Sequence, residues 1–157
     1  SAVGYTIYDG SVNEPEMFKE FGEIVEKAHD YGLPVIAWMY PRGKYVRNEM
    51  DNDVLAYSAR IGLELGADMI IVKYNGDLDN FRWMTHCAGR TGIVVADPQS
   101  DVHTLLGNTH AVMHAGAFGY AAGKSVWQSD RPLSLSKALN AIVLNKKTPM
   151  QAASLLR

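Results

Sequence analysis

The chain has 157 residues, 47% hydrophobic and 20% charged, with a formal net charge of −2 and a pI near 6.2. That length and composition fit one domain with a real core and exclude a disordered segment. No basic excess offers a field for nucleic acid or a membrane surface. The single cysteine, Cys87, excludes an intramolecular disulfide framework and a Cys-cluster zinc site. No apolar run approaches the roughly 18 residues of a membrane span. The opening segment SAVGYTIYDGS reads as a strand entered at once, not as a signal peptide, and the expected location is the cytoplasm.

The elements alternate from the start. Ala2–Tyr8 is rich in β-branched and aromatic residues and stops at Asp9-Gly10, a turn pair. Pro15–Tyr31 is a helix, because Met17, Phe18, Phe21, Ile24, Val25 and Ala28 recur on one face. Pro34–Tyr40 is a second strand, closed by Pro41-Arg42-Gly43. Asn52–Leu65 is a helix capped by Asp51 or Asn52 and ended by Gly66. Asp68–Lys73 is a third strand, and Phe81–Cys87 a short helix beyond the Asn75-Gly76-Asp77 loop. Gly92–Ala96 is a fourth strand, Asp101–Ala115 a helix expected to be interrupted at Gly107, and Phe118–Ala122 a fifth strand. Helical segments Ser134–Leu144 and Pro149–Leu156 close the chain.

Apolar strands linked by helices predict a parallel sheet in the α/β class. An open doubly wound sheet and a piece of a (β/α)₈ TIM-barrel both fit. The polar residues favour the barrel: Tyr8-Asp9, Tyr40-Pro41-Arg42, Lys73-Tyr74, Ala96-Asp97 and Gly123-Lys124 spread chemistry over successive strand ends, and DGSVNEPE is no G-x-G-x-x-G fingerprint.

Lys73 ends an otherwise apolar strand. A desolvated amine there can act as a nucleophile on a ketone, and equally a lysine at a strand end can snorkel to water. Tyr40 ends the preceding strand and can move a proton beside it or pack its ring over the strand ends. Trp38 shares the face of Tyr40, two residues earlier. Arg42, with Lys44 and Arg47 beyond it, can bind an anion or stay solvated. Gly123-Lys124 offers a phosphate seat but lacks a P-loop. His110 and His114 are spaced i, i+4 without an H-E-x-x-H, so no metal is expected there. Cys87 reads as structural, and no G-x-S-x-G is present.

The segments AVGYTIYDGS, AWMYPRGKYVRNE, AYSARIGLELGADMIIVKYNGD and AGAFGYAAGKSVWQ resemble the archaeal-type class I (Schiff-base) fructose-bisphosphate aldolases, over nearly the whole chain. The resemblance implies a (β/α)₈ barrel of which this chain supplies five consecutive βα units, about strands 4 to 8: one domain, 1–157, incomplete at the N-terminus. It implies that Lys73 forms the Schiff base, Tyr40 shuttles the proton, Trp38 lines the site, and Gly123 and Lys124 bind a substrate phosphate. Arg42 is expected to hold another charged end. An aspartate that helps from the first strand of the family barrel has no counterpart here. The implied activity is aldol and retro-aldol chemistry on a sugar phosphate, fructose 1,6-bisphosphate giving dihydroxyacetone phosphate and glyceraldehyde 3-phosphate, in glycolysis and gluconeogenesis. No cofactor and no metal are expected.

Ala96-Asp97-Pro98-Gln99 stands where the family has a Ser-Gly-Gly phosphate loop, so Asp97 is expected to repel a phosphate. That departure keeps two alternatives open: a sibling transaldol-type synthase resembling the aminodeoxyheptulosonate synthases, or a catalytically silent binding module. Five units cannot close an eight-stranded barrel, so an inner apolar face including Ile7, Val35, Ala37, Ile70, Val72 and Val94 is expected to need cover. Further chain or a second copy would supply it, and a homo-oligomer is the expected partnership.

Overall fold

The computed structural model of the chain describes residues 1–156. In chain order the elements are β1 (Val3–Ile7), α1 (Glu14–Asp30), β2 (Val35–Met39), α2 (Asn52–Glu64), β3 (Met69–Val72), α3 (Leu78–Cys87), β4 (Gly92–Ala96), α4 (Val102–His114), β5 (Gly119–Ala121), α5 (Lys124–Trp127), α6 (Pro132–Val143) and α7 (Pro149–Ala153), then a 3-10 turn over Ser154–Leu156. All strand pairs are parallel, and the sheet order is β1-β2-β3-β4-β5. A sheet whose every strand lies beside its predecessor in one direction receives all its right-handed crossovers on one face. A doubly wound sheet reverses direction at a switch point and is covered on both faces. The strand order therefore selects the barrel-type arrangement.

Side-chain alternation then divides the strands. Ile7, Val35, Ala37, Met39, Ile70, Val72, Ile93 and Val95 are at most 2% exposed. They pack with Phe21 of α1, Leu55 of α2, Phe81 of α3 and Val112 of α4. This overturns the expectation that Ile7, Val35, Ala37, Ile70 and Val72 line a wet inner face. A strand has a period of two, so Val35 and Ala37 point away from Trp38 and Tyr40, into the helices. Of that expected set only Val94 shares the face of Trp38, through Ile71. A smaller core joins Leu105 and Leu106 of α4 to Leu135, Leu139 and Ile142 of α6.

The helix starts follow their caps. The side chain of Asp51 accepts from the Asp53 and Val54 amides, Asp77 from Asp79 and Asn80, and Asp101 from His103 and Thr104. Each such cap is worth about 1 kcal/mol. The Asp77 cap begins α3 at Leu78, three residues before the Phe81 start expected from the sequence. Gly107 does not interrupt α4, because the missing side chain leaves the backbone ladder intact and costs only about 1 kcal/mol. The single turn of α5 is too short to show a period.

Asp9 follows β1 on the helix-facing side. It is 2% exposed, and neither carboxylate oxygen accepts a hydrogen bond. The Ser58 hydroxyl lies close by, but its proton goes to the Val54 carbonyl at 3.1 Å. Burial, opposed by Ser58 and reinforced by the Glu14 charge, pushes the Asp9 carboxyl up to about 6. A carboxyl raised from 3.8 in the folded chain holds its proton more tightly than in the unfolded one. Its contribution is most favourable below the unfolded value and is lost as pH rises through the folded one, a penalty of about 3 kcal/mol at neutral pH. Asp9→Asn should therefore raise Tm near neutrality and flatten the fall in Tm between about pH 4 and 7. Thermal unfolding of both proteins across that range is the check; parallel profiles would remove Asp9 as the cause.

Candidate active site

Tyr8, Tyr40 and Lys73 each follow their strand by one residue. The register pairs Thr6 with Trp38 and Trp38 with Ile71, so one pleat further the three side chains stand in one row. The Tyr8 and Tyr40 rings stack with centroids 6.3 Å apart. The Lys73 Nζ lies 5.9 Å from the Tyr40 ring centroid. Trp38 sits one pleat deeper, its ring filling the space that a side chain on Gly4 would occupy. The Lys73 side chain is 25% exposed, and its Nζ meets Glu49 Oε1 at 2.9 Å. Glu49 Oε2 accepts from Arg42 Nη2 at 3.2 Å. The Lys73 hydrogen bond foremost holds the Glu49 carboxyl below the usual carboxylate range, with partial burial opposing it and the Arg42 contact adding to it.

The loop from Tyr40 to Asp51 carries both Arg42 and Glu49, and it is fixed on two sides. Toward β1, Arg42 N–H donates to the Asp9 carbonyl at 2.9 Å and Tyr45 N–H to the Gly10 carbonyl at 3.1 Å. Gly10 makes this turn at φ +74, a left-handed conformation that glycine adopts without strain. Gly43 lies so close to the Gly10 carbonyl and the Ser11 backbone that a Cβ has no room. Toward β3, Asn75 Nδ2 donates to the Met50 carbonyl at 3.0 Å and to Asn52 Oδ1 at 2.6 Å. Asn52 in turn donates to Asp77 Oδ2 at 3.1 Å.

Of the expected site residues, Trp38, Tyr40, Arg42 and Lys73 come together. Gly123 and Lys124 do not meet them. They follow β5, two strands from Lys73 or about 10 Å at the usual strand spacing. Lys124 lines a separate open cleft with Gln99, Ser100, Asp101, Gln128 and Asp130. The Trp127 ring packs beside Gly123. Asp97 Oδ1 accepts from the Ser100 hydroxyl at 3.0 Å and its Oδ2 is buried without a partner. The His110 and His114 rings lie 4.4 Å apart on α4, and among the described residues no three His, Cys, Asp or Glu side chains are grouped to hold a metal ion. Cys87 is half-buried at the end of α3.

Sequence reasoning missed Glu49 and the loop bonds of Asn52 and Asn75. Glu49 stands inside the block AWMYPRGKYVRNE, but an irregular loop has no periodicity to say which residue turns inward.

The model of the DeoC/LacD family aldolases matches residues 1–129. The chain belongs to this family. A class 1 fructose-bisphosphate aldolase of Thermoproteus tenax is 42% identical over 149 residues, which are 94% of this chain and 57% of that protein. A Methanocaldococcus jannaschii protein named fructose-bisphosphate aldolase/6-deoxy-5-ketofructose 1-phosphate synthase is 35% identical over 157 residues, 96% of this chain and 51% of that protein. A solved archaeal fructose-1,6-bisphosphate aldolase, its catalytic lysine covalently bound to the carbinolamine intermediate of the substrate, matches with a TM-score of 0.87 at 41% identity, covering 91% of this chain and 58% of that one. The chain thus spans little more than half the length of these relatives. Its parallel sheet and alternating helices are part of a (β/α)₈ barrel of this family.

The close approach at Gly43 yields a direct test of the loop. Gly43→Ala should destabilise the chain by about 1–3 kcal/mol through overpacking against the Gly10–Ser11 backbone. Urea unfolding measures it, and an unchanged midpoint would mean that the loop shifts freely.

Proposed function

We propose that the chain carries the Schiff-base half of an aldolase site, acting on a ketose phosphate such as fructose 1,6-bisphosphate. Lys73 is the nucleophile. Its neutral Nζ adds to the ketone carbon as the carbonyl electron pair moves to oxygen; the hydroxyl so formed leaves as water, and the C=N bond takes a positive charge. That iminium accepts the electron pair released when the bond between its α- and β-carbons breaks, which leaves an enamine on Lys73. Tyr40 takes the proton of the β-hydroxyl as the aldehyde forms and returns it to the α-carbon of the enamine, after which water hydrolyses the iminium and frees Lys73. Trp38 forms a wall, and Arg42 holds an anionic end. Gly123 and Lys124 receive a phosphate at the far end of the sheet, where Asp101 and Asp130 in the same cleft weaken the attraction.

The observation that carries this reading is the amine of Lys73 beside the Tyr40 ring at the mouth of the strands. The covalent lysine intermediate named for the solved relative supports it. A second reading is a synthase using the same lysine with another acceptor, including chemistry like that of the aminodeoxyheptulosonate synthases. It is favoured by the double name of the Methanocaldococcus jannaschii relative and by Ala96-Asp97-Pro98-Gln99 in place of a glycine loop. In either case we propose that the barrel wall is completed by further chain or by a second copy, and that the enzyme works in the cytoplasm, in glycolysis and gluconeogenesis. The outer edges of β1 and β5 have backbone groups to offer such a wall. Light scattering on the isolated chain should then show an assembly larger than one copy.

Borohydride reduction with fructose 1,6-bisphosphate, followed by peptide mass spectrometry, should label Lys73, and Lys73→Met should abolish the label. Tyr40→Phe should keep the label and slow cleavage by roughly 10²–10⁴-fold. Labelling of Lys44, Lys124 or Lys146 with Lys73 untouched would overturn the assignment. Turnover only of another phosphoketose would favour the synthase, and no label with any ketose phosphate would favour a silent binding module.

A further inference from the structure

Glu49 is an anion in the site that the proposed reaction leaves without a task. It lies 2.9 Å from the amine that would react and 3.2 Å from the guanidinium beside it. The loop that carries it is tied to the β1 turn and, through Asn75, to the loop directly after Lys73. Its place beside the amine is therefore built by backbone contacts on both sides. We propose that Glu49 is the counter-ion of Lys73 throughout the Schiff-base reaction: it pairs with the ammonium before attack, and it balances the charge of the iminium once that forms. The proposal rests on the Schiff-base reading of Lys73.

The charge accounting supports one carboxylate serving both states. An ammonium and a ketone give an iminium and one water, with a single positive charge at Nζ before and after. The proton that the ammonium releases so that Nζ can attack is returned when the hydroxyl departs as water. Glu49 stays ionised from start to finish and needs neither to gain nor to lose a proton. Before attack it pairs with the ammonium at 2.9 Å. After dehydration the same attraction stabilises the iminium. Arg42 holds the other oxygen and draws part of the carboxylate's field away from Lys73. An anionic substrate group that engaged Arg42 would release that oxygen and strengthen the pairing at the moment the cationic adduct appears.

The test separates the ion pair from the aldolase reading. Lys73 acylation by acetic anhydride at one fixed pH, followed by peptide mass spectrometry, reports how accessible the amine is, with or without turnover. In Glu49→Gln Lys73 should be acylated several-fold faster, because the amine has lost its ion-pair partner; Glu49→Asp should restore most of the protection. A rate in Glu49→Gln equal to or below that of the unmodified chain would overturn the pairing. A change in folding alone would move every lysine rather than Lys73, and Lys19 and Lys137 serve as internal controls. The borohydride adduct with fructose 1,6-bisphosphate tests the second half. At a pH where Lys73 acylates fully in both proteins, Glu49→Gln should give several-fold less adduct, and equal yields would overturn the iminium role. An unlabelled Lys73 in the unmodified chain would overturn the Schiff-base reading, and the iminium role with it, while the acylation rate would still decide the ion pair.

Discussion

A sheet that grows in one direction has one supported face, and everything else in this chain depends on that. Each strand lies beside the one before it, every right-handed crossover lands on the same side, and α1 to α4 cover that side only. The period-two alternation of the strands does the rest. One parity, from Ile7 to Val95, is anchored in the helix core at almost no exposure. The other parity carries Trp38, Ile71 and Val94, and ends in Tyr8, Tyr40 and Lys73. Core and site are thus alternate residues of the same strands. The row of site side chains inherits its rigidity from the close-packed residue immediately before each of them in sequence, Ile7, Met39 and Val72.

The loops inherit less from the sheet and are held by their own bonds. The segment carrying Arg42 and Glu49 leans on Asp9 and Gly10 through backbone donors, and on Asn75 through a side-chain amide. Close approach at Gly43 is part of that seat. Under it lies the buried carboxylate of Asp9, an unsatisfied charge in a position where apolar packing would be more stable. The chain thus spends stability directly beneath the loop that shapes its site, a pattern common where function rather than folding sets the residue.

Much of this was legible beforehand. The strands beginning near Val3, Val35, Met69, Gly92 and Gly119 were readable from their short apolar runs, and α1 from the recurrence of Phe21, Val25 and Ala28. That Lys73 and Tyr40 stand at the ends of apolar strands was legible from position, while the roles expected of them came from the family resemblance of the surrounding blocks. Parity was also available: Trp38 and Tyr40 facing the site already requires Val35 and Ala37 to face the helices, and the expected wet inner face ignored that period. The direction of Glu49 was not available. A twelve-residue loop, Tyr40–Asp51, has no repeating geometry, and its path is set by donors on Asn75 and acceptors on Asp9 and Gly10 that are distant in sequence. At Asp97 the charge was legible, but the Ser100 hydroxyl that its carboxylate accepts from was not.

The charges are unevenly spread along the strand ends. On the β2 side, Arg42 and Arg47 line one cleft with a single acid, Glu49, that is already engaged by Arg42 and Lys73. On the β5 side, Lys124 shares its cleft with Asp101 and Asp130. An anionic group meets a net positive field at the first end and, with two acids against one lysine, a net negative one at the second, and screening over about 8–10 Å keeps the two from merging. In the proposed reaction a substrate phosphate would therefore be held beside the reacting amine, where its charge also bears on the Glu49–Lys73 pair. The far end would contribute reach more than affinity. A site built this way orients its substrate by the imbalance between its two ends, and the imbalance arises because Arg42 and Arg47 outnumber Glu49 on one loop while Asp101 and Asp130 outnumber Lys124 after β5.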